Sequence, residues 1–174
     1  SAFNNSAYIV FIDATPPSAF NLSDPFNATE SINATPFLNW TVSEDQNFHN
    51  YTLLVDNGNA FSSVDFTYRV GLFNNSNNSF EVPQSTPWAG NTQWFWKVIA
   101  YDTLNQSTSS TEYYTYIIDN GTPQVSLITP FNHSYENGSS VSFKFNVTDQ
   151  FTIANCSLLI NGELTETKNS ITKN

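Results

Sequence analysis

Basic residues are almost missing from this chain. Arg69, Lys97, Lys144, Lys168 and Lys173 are the whole set in 174 residues, against 15 acidic ones, for a net charge of −10. They are scattered, so no phosphate-tracking surface can be drawn, and nucleic acid is excluded as an expected partner. Long apolar runs are absent too. The longest, such as Tyr8 to Ile12, are far too short to cross a bilayer, so no membrane span is expected. Ser1 opens no signal peptide, which suits a mature chain or an excerpt of a longer one. Cys156 is the only cysteine. It excludes an internal disulfide and reads as a buried, inert thiol.

Reactive side chains are equally sparse. His49 and His133 are the only histidines, and they sit at non-equivalent places. No HExxH, cysteine pair or glycine-rich phosphate loop is present. No serine has a histidine and aspartate constellation around it. Glu44 and Asp45 are adjacent, which reads as a loop charge cluster and not as an acid–base pair. Asp13, Asp102 and Asp119 raise a calcium site at domain junctions. A turn-forming aspartate bonded to its own backbone is the stronger reading. The expectation is therefore no catalytic residue, no metal, no cofactor and no enzyme activity.

Aromatic residues, by contrast, make up 16% of the chain, and charged ones only 11%. That composition can build a core. Leu38, Trp40 and Val42 alternate with Asn39 and Thr41. Tyr51, Leu53 and Val55 alternate in the same way, as do Trp94, Trp96, Val98 and Ala100. A period of two with turn residues between predicts half-buried antiparallel strands. No window of about ten residues carries a 3.6-residue apolar period. Many such strands in about a hundred residues predict a β-sandwich, with Trp40, Tyr51, Leu53, Trp96 and Val98 in its core.

The chain also repeats itself. YIVFIDATPP from Tyr8 matches YTYIIDNGTPQ from Tyr114, an offset of 106. Pro25-Phe26-Asn27 matches Pro130-Phe131-Asn132, and Asn50 to Val55 matches Asn155 to Ile160, both at an offset of 105. A match held in register over several strands is a tandem repeat. Residues 1–13 then read as the last strand of one repeat, 14–119 as a whole repeat, and 120–174 as an incomplete one. In the last, Val141, Phe143, Phe145 and Val147 share a face, as do Cys156, Leu158 and Ile160.

The stretches PFLNWTVSED, NYTLLVDNG, NTQWFWKVIAYD and YYTYIID resemble strands B, C, F and G of a fibronectin type III or related immunoglobulin-like domain. TPQVSLITPFNHS, VSFKFNVTD and NCSLLINGE resemble immunoglobulin-like modules strung along archaeal and bacterial surface proteins. One departure is Trp94, where such domains often place a corner tyrosine. The resemblance implies all-β architecture, tandem sandwiches and a cell-surface location. It implies no activity.

Asn-x-Ser/Thr sequons occur at Asn4, Asn21, Asn27, Asn33, Asn39, Asn50, Asn74, Asn77, Asn105, Asn120, Asn132, Asn137, Asn146 and Asn155, 14 in all. The 24 asparagines and 40 serines plus threonines would give about five or six by random placement. By the period of two, Asn39, Asn50, Asn146 and Asn155 fall opposite the apolar residues. Glycans on these sites account for the low charge, because sugars supply the solubility that charged side chains otherwise supply.

Two readings follow. One is a structural subunit or segment of an N-glycosylated extracellular filament or surface coat, with an archaeal exporter preferred. The other is an adhesin or carbohydrate-binding array. Dense glycosylation favours the first, and a contiguous aromatic patch free of sequons would favour the second. The expected partners are covalent glycans and either other copies of the chain or adjacent domains of the same polypeptide. Tyr8, Val10 and Ile12 share a face and can serve as a donor strand for a neighbouring sandwich.

Overall fold

In the computed structural model, residues 12–169 and residue 171 are described; Asn4, Tyr8 and Val10 lie outside them. The protein is all-β, with no helix among the described residues, and it divides into two units between Ile118 and Asp119. Among the described residues no helix is long and apolar enough to cross a membrane.

The first unit holds nine strands: β1 (Leu22–Asp24), β2 (Thr29–Ser31), β3 (Phe37–Trp40), β4 (Phe48–Asp56), β5 (Phe66–Val70), β6 (Ser79–Glu81), β7 (Thr92–Asp102), β8 (Ser107–Ser109) and β9 (Tyr114–Ile118). β1, β3 and β6 form one antiparallel sheet. The second sheet runs β2-β9-β7-β4-β5, with β8 alongside β7. Its pairs are antiparallel except β2 with β9. The alternating side chains of both sheets meet in a single apolar core. Leu38 and Trp40 come from the small sheet; Tyr51, Leu53, Val55, Trp94, Trp96, Val98, Tyr116 and Ile118 come from the large one. Trp40, Tyr51, Leu53, Trp96 and Val98 are all at most 1% exposed, so the strand register expected from the alternation holds. Trp88 is buried as well and packs on Trp94 and Tyr116.

Tyr51 is the pivot of this core. Its ring lies against Phe20, Trp40 and Phe48. Its hydroxyl accepts the Ser43 N–H and donates to the Asn75 carbonyl, each at 2.9 Å. It thus ties two loops to β4. Trp94 donates its indole N–H to Ala89 O at 3.1 Å.

The second unit has β10 (Gln124–Thr129), β11 (Lys144–Thr148), β12 (Asn155–Ile160) and β13 (Glu163–Asn169). They form two separate two-stranded sheets, β10-β11 and β12-β13. Of its described hydrophobic residues only Val147 and Ile153 are buried. The repeat is visible in the backbone. Asp13 accepts the Thr15 N–H at 3.1 Å, and Asp119 accepts the Gly121 N–H at 2.9 Å. Both junction aspartates therefore make the same local turn.

Candidate functional site

Exposed asparagine side chains are the chemistry this surface offers most of. Asn21, Asn27, Asn33, Asn74, Asn77, Asn105, Asn120, Asn132, Asn137 and Asn155 are exposed, and Asn39 and Asn146 are half-buried. Several are held by their carbonyl oxygen. Asn21 Oδ1 accepts the Thr111 hydroxyl at 2.6 Å, Asn27 Oδ1 the Thr115 N–H at 2.8 Å, and Asn74 Oδ1 the Ser76 N–H at 3.1 Å. The amide nitrogen, the atom that bears a glycan, takes no part in those bonds. The loop carrying Asn74 and Asn77 depends on Gly71. Its φ is +66°, and a Cβ there would come within 2.6 Å of Asn74 O and 2.8 Å of Asn77 O. Only glycine lets the chain close on itself here.

Asn50 departs from the outward placement expected for it. It is 4% exposed, and its Nδ2 donates to Tyr51 O at 2.8 Å and to Thr52 Oγ1 at 3.1 Å. The pairing of β4 with β7 shifts register between Phe48 and Asn50. Asn50 falls on the outer face by the period of two and is covered all the same.

The acidic residues come together differently from the trio read in the sequence. Asp13, Asp45 and Asp102 each offer an oxygen within 4.8 Å of the others'. These three are the group that could hold a hard cation, which takes oxygen ligands. Asp119 instead sits in its own turn. The cluster already has strong donors. Asp102 Oδ1 accepts the Leu104 and Gln106 N–H groups, both at 2.8 Å, and its Oδ2 accepts Gln106 Nε2 at 2.9 Å. Asp13 Oδ2 accepts Asn47 Nδ2 at 2.9 Å, and Asp45 Oδ1 accepts the Asn47 N–H at 2.7 Å. The Asn47 side-chain amide, then the Thr15 backbone, hold the Asp13 carboxyl below its ordinary value against a smaller opposing effect of burial. The arrangement fastens three chain segments through carboxylate-to-amide bonds. Asp45 was missed as a member because nothing in its sequence neighbourhood marks it as near Asp13 or Asp102.

Phe61, Phe95 and Tyr113 form one aromatic cluster at the surface of the first unit, and Phe66, Tyr68 and Phe80 form another that packs against its core. Phe61 and Phe95 each meet Tyr113 edge to face, at 61° and 76°. The Lys97 ammonium stands 4.4 Å above the Phe61 ring. A sugar ring stacks on a flat, open aromatic face; these rings are mutually tilted and one face is capped by a cation. His49 lies within β4, its ring against Phe73, and His133 sits in a turn at φ +60°.

No protein-family model matches this chain, and no curated protein matches it.

Proposed function

We propose that this chain is a structural part of a heavily N-glycosylated extracellular filament or cell-surface coat, built from tandem immunoglobulin-like or fibronectin type III-like sandwiches, of archaeal or bacterial origin. The observation that carries the reading is the sequon surface. In both units the sequon asparagines stand exposed or half-buried, with Asn50 the one buried member among the described residues. Random placement does not explain their number. The core supplies rigidity and the sugars supply solvation.

The glycans are the covalent partners in this reading. The protein partners are other copies of the chain or adjacent domains of one polypeptide, with Tyr8, Val10 and Ile12 as a strand that one sandwich lends another. No catalytic role, cofactor, nucleic acid or membrane span belongs to it. The adhesin reading would need an open aromatic platform, and the tilted Phe61–Tyr113–Phe95 cluster does not favour one. Glycopeptide mass spectrometry of natively produced protein tests the proposal: sugars on most exposed sequons support it, and bare asparagines at most of them overturn it.

A further inference from the structure

Eight large hydrophobic side chains of the first unit stand exposed among the described residues. Four of them, Phe26, Ile32, Phe73 and Leu104, directly precede the sequon residues Asn27, Asn33, Asn74 and Asn105. Phe37 and Leu72 stand two places before Asn39 and Asn74, so only Ile12 and Tyr113 lie away from a sequon. Random placement would put about one of the eight so close. The repeat keeps the pairing as well. Phe131 precedes Asn132 at the offset of 105, and Phe26 and Phe131 are 75% and 76% exposed. Their exposure is thus the same in the unit with a closed core and in the other. None of the four pairs of the first unit is in a strand. Phe26 O accepts the Thr29 N–H at 3.1 Å, and φ is +54° at Phe73 and +64° at Asn105. Away from an extended strand, neighbouring side chains are not sent to opposite faces. The amides of Asn27 and Asn74 are oriented through Oδ1, by the Thr115 and Ser76 N–H groups.

We propose that these exposed side chains seat the chain's own glycans: the apolar C–H face of the first sugar on each asparagine packs on the hydrophobic side chain before it, foremost on the rings of Phe26 and Phe73. Consecutive Cα atoms are about 3.8 Å apart, so a pyranose on Nδ2 starts beside that neighbour. Packing the two together takes apolar area of both out of water, and a phenyl ring offers a flat face for it. His49 lies against the Phe73 ring at 4.9 Å, and the sugar takes the face that His49 leaves open. A weak contact is enough here, because the covalent link holds the sugar at high local concentration. The occupant is therefore a sugar the chain carries, not one it captures. The inference rests on the glycan reading above and deepens it: the sugars cover apolar surface as well as solvating the coat.

The test compares the whole chain expressed with glycosylation in its native source and the same chain made without glycosylation, each with and without Phe26→Ser. Glycopeptide mass spectrometry first scores Asn27, and the glycosylated form is read on molecules that carry sugar there. In these, nuclear Overhauser contacts join the first sugar to the Phe26 ring. Phe26→Ser lowers the folding equilibrium constant of the first unit about fivefold, the size of one ring contact, in urea titrations followed by tryptophan emission. Without sugar the same substitution at this exposed position changes it about twofold or less. Phe26→Tyr keeps the sugar-dependent stability. Ile12→Ser, at an exposed position away from any sequon, acts equally in both forms. Three results overturn the proposal alone: an occupied Asn27 whose sugar makes no contact with Phe26, an equal effect of Phe26→Ser in both forms, or an effect in the sugar-free chain that grows with its concentration. The last would make the occupant a second copy. Bare asparagine at both Asn27 and Asn74 overturns it together with the glycan reading at those sites, so the two fail distinguishably.

Discussion

Tyr51→Phe removes one oxygen atom and leaves the core ring in place. The contacts with Phe20, Trp40 and Phe48, at centroid distances of 5.8, 5.3 and 4.8 Å, are kept. The loss is polar. Ser43 is 0% exposed, and its N–H donates to the missing oxygen at 2.9 Å. A buried donor left without an acceptor costs about 1–3 kcal/mol, and the lost bond to Asn75 O adds about 1 kcal/mol. The expected loss is therefore about 2–4 kcal/mol. All four tryptophans lie in the first unit, so tryptophan emission during urea unfolding reports that unit alone. With a slope of about 2 kcal/mol per molar, the midpoint falls by about 1 M or more. The same variant carries a pH signature. Burial, foremost, raises the Tyr51 hydroxyl above its ordinary value of 10.0; the Ser43 N–H opposes this and Glu44 adds to it. A folded-state pKa above the unfolded one gives stability that is full below pH 10. It is lost as pH rises through the raised value. Tyr51→Phe lacks that alkaline component. A change below about 0.5 kcal/mol, the size of an ordinary surface substitution, would refute the hydroxyl bridge.

Other perturbations follow from the same packing. Trp40→Ala costs about 3–5 kcal/mol, the range for emptying a large buried aromatic site, whereas its repeat counterpart Phe145→Ala costs clearly less because Phe145 is half-exposed; equal losses in urea titrations would contradict the open face of the second unit. Gly71→Ala destabilises by about 2 kcal/mol or more, from positive φ and a backbone clash, and a neutral result by the same assay would mean the 71–78 loop is not closed as described. Asn47→Ala raises the Asp13 pKa toward 3.8, read by carboxyl NMR titration; an unshifted titration would dissolve the link between them.

The long strands were legible because their two faces differ. In β4 the buried face is Tyr51, Leu53 and Val55, and in β7 it is Trp94, Trp96, Val98 and Ala100, where the period of two places them, although Leu54, Phe95, Ile99 and Tyr101 make the other faces partly apolar too. β12 was legible for the same reason. β13, by contrast, is ELTETKN and exposed along its whole length, so it has no apolar face to announce it. β1, β2 and β8 are three residues each, too short for any period. The apolar alternation starts only at Tyr51, yet β4 begins at Phe48 and so includes His49. The sequons were visible as a pattern, but the burial of Asn50 was not, because strand parity says which face a side chain takes and not whether that face is covered. The acidic cluster escaped for a related reason. Asp13, Asp45 and Asp102 are brought together only by the fold, whereas the turns made by Asp13 and Asp119 are local and were readable.

Site-by-site glycopeptide mass spectrometry on protein from its native source tests the central claim most directly. The surface account predicts sugar on most of the exposed sequons in both units, such as Asn21, Asn27, Asn74, Asn77, Asn105, Asn132 and Asn137, and a bare Asn50. Unmodified asparagine at most of those exposed positions, or full occupancy at Asn50 in folded protein, would contradict it.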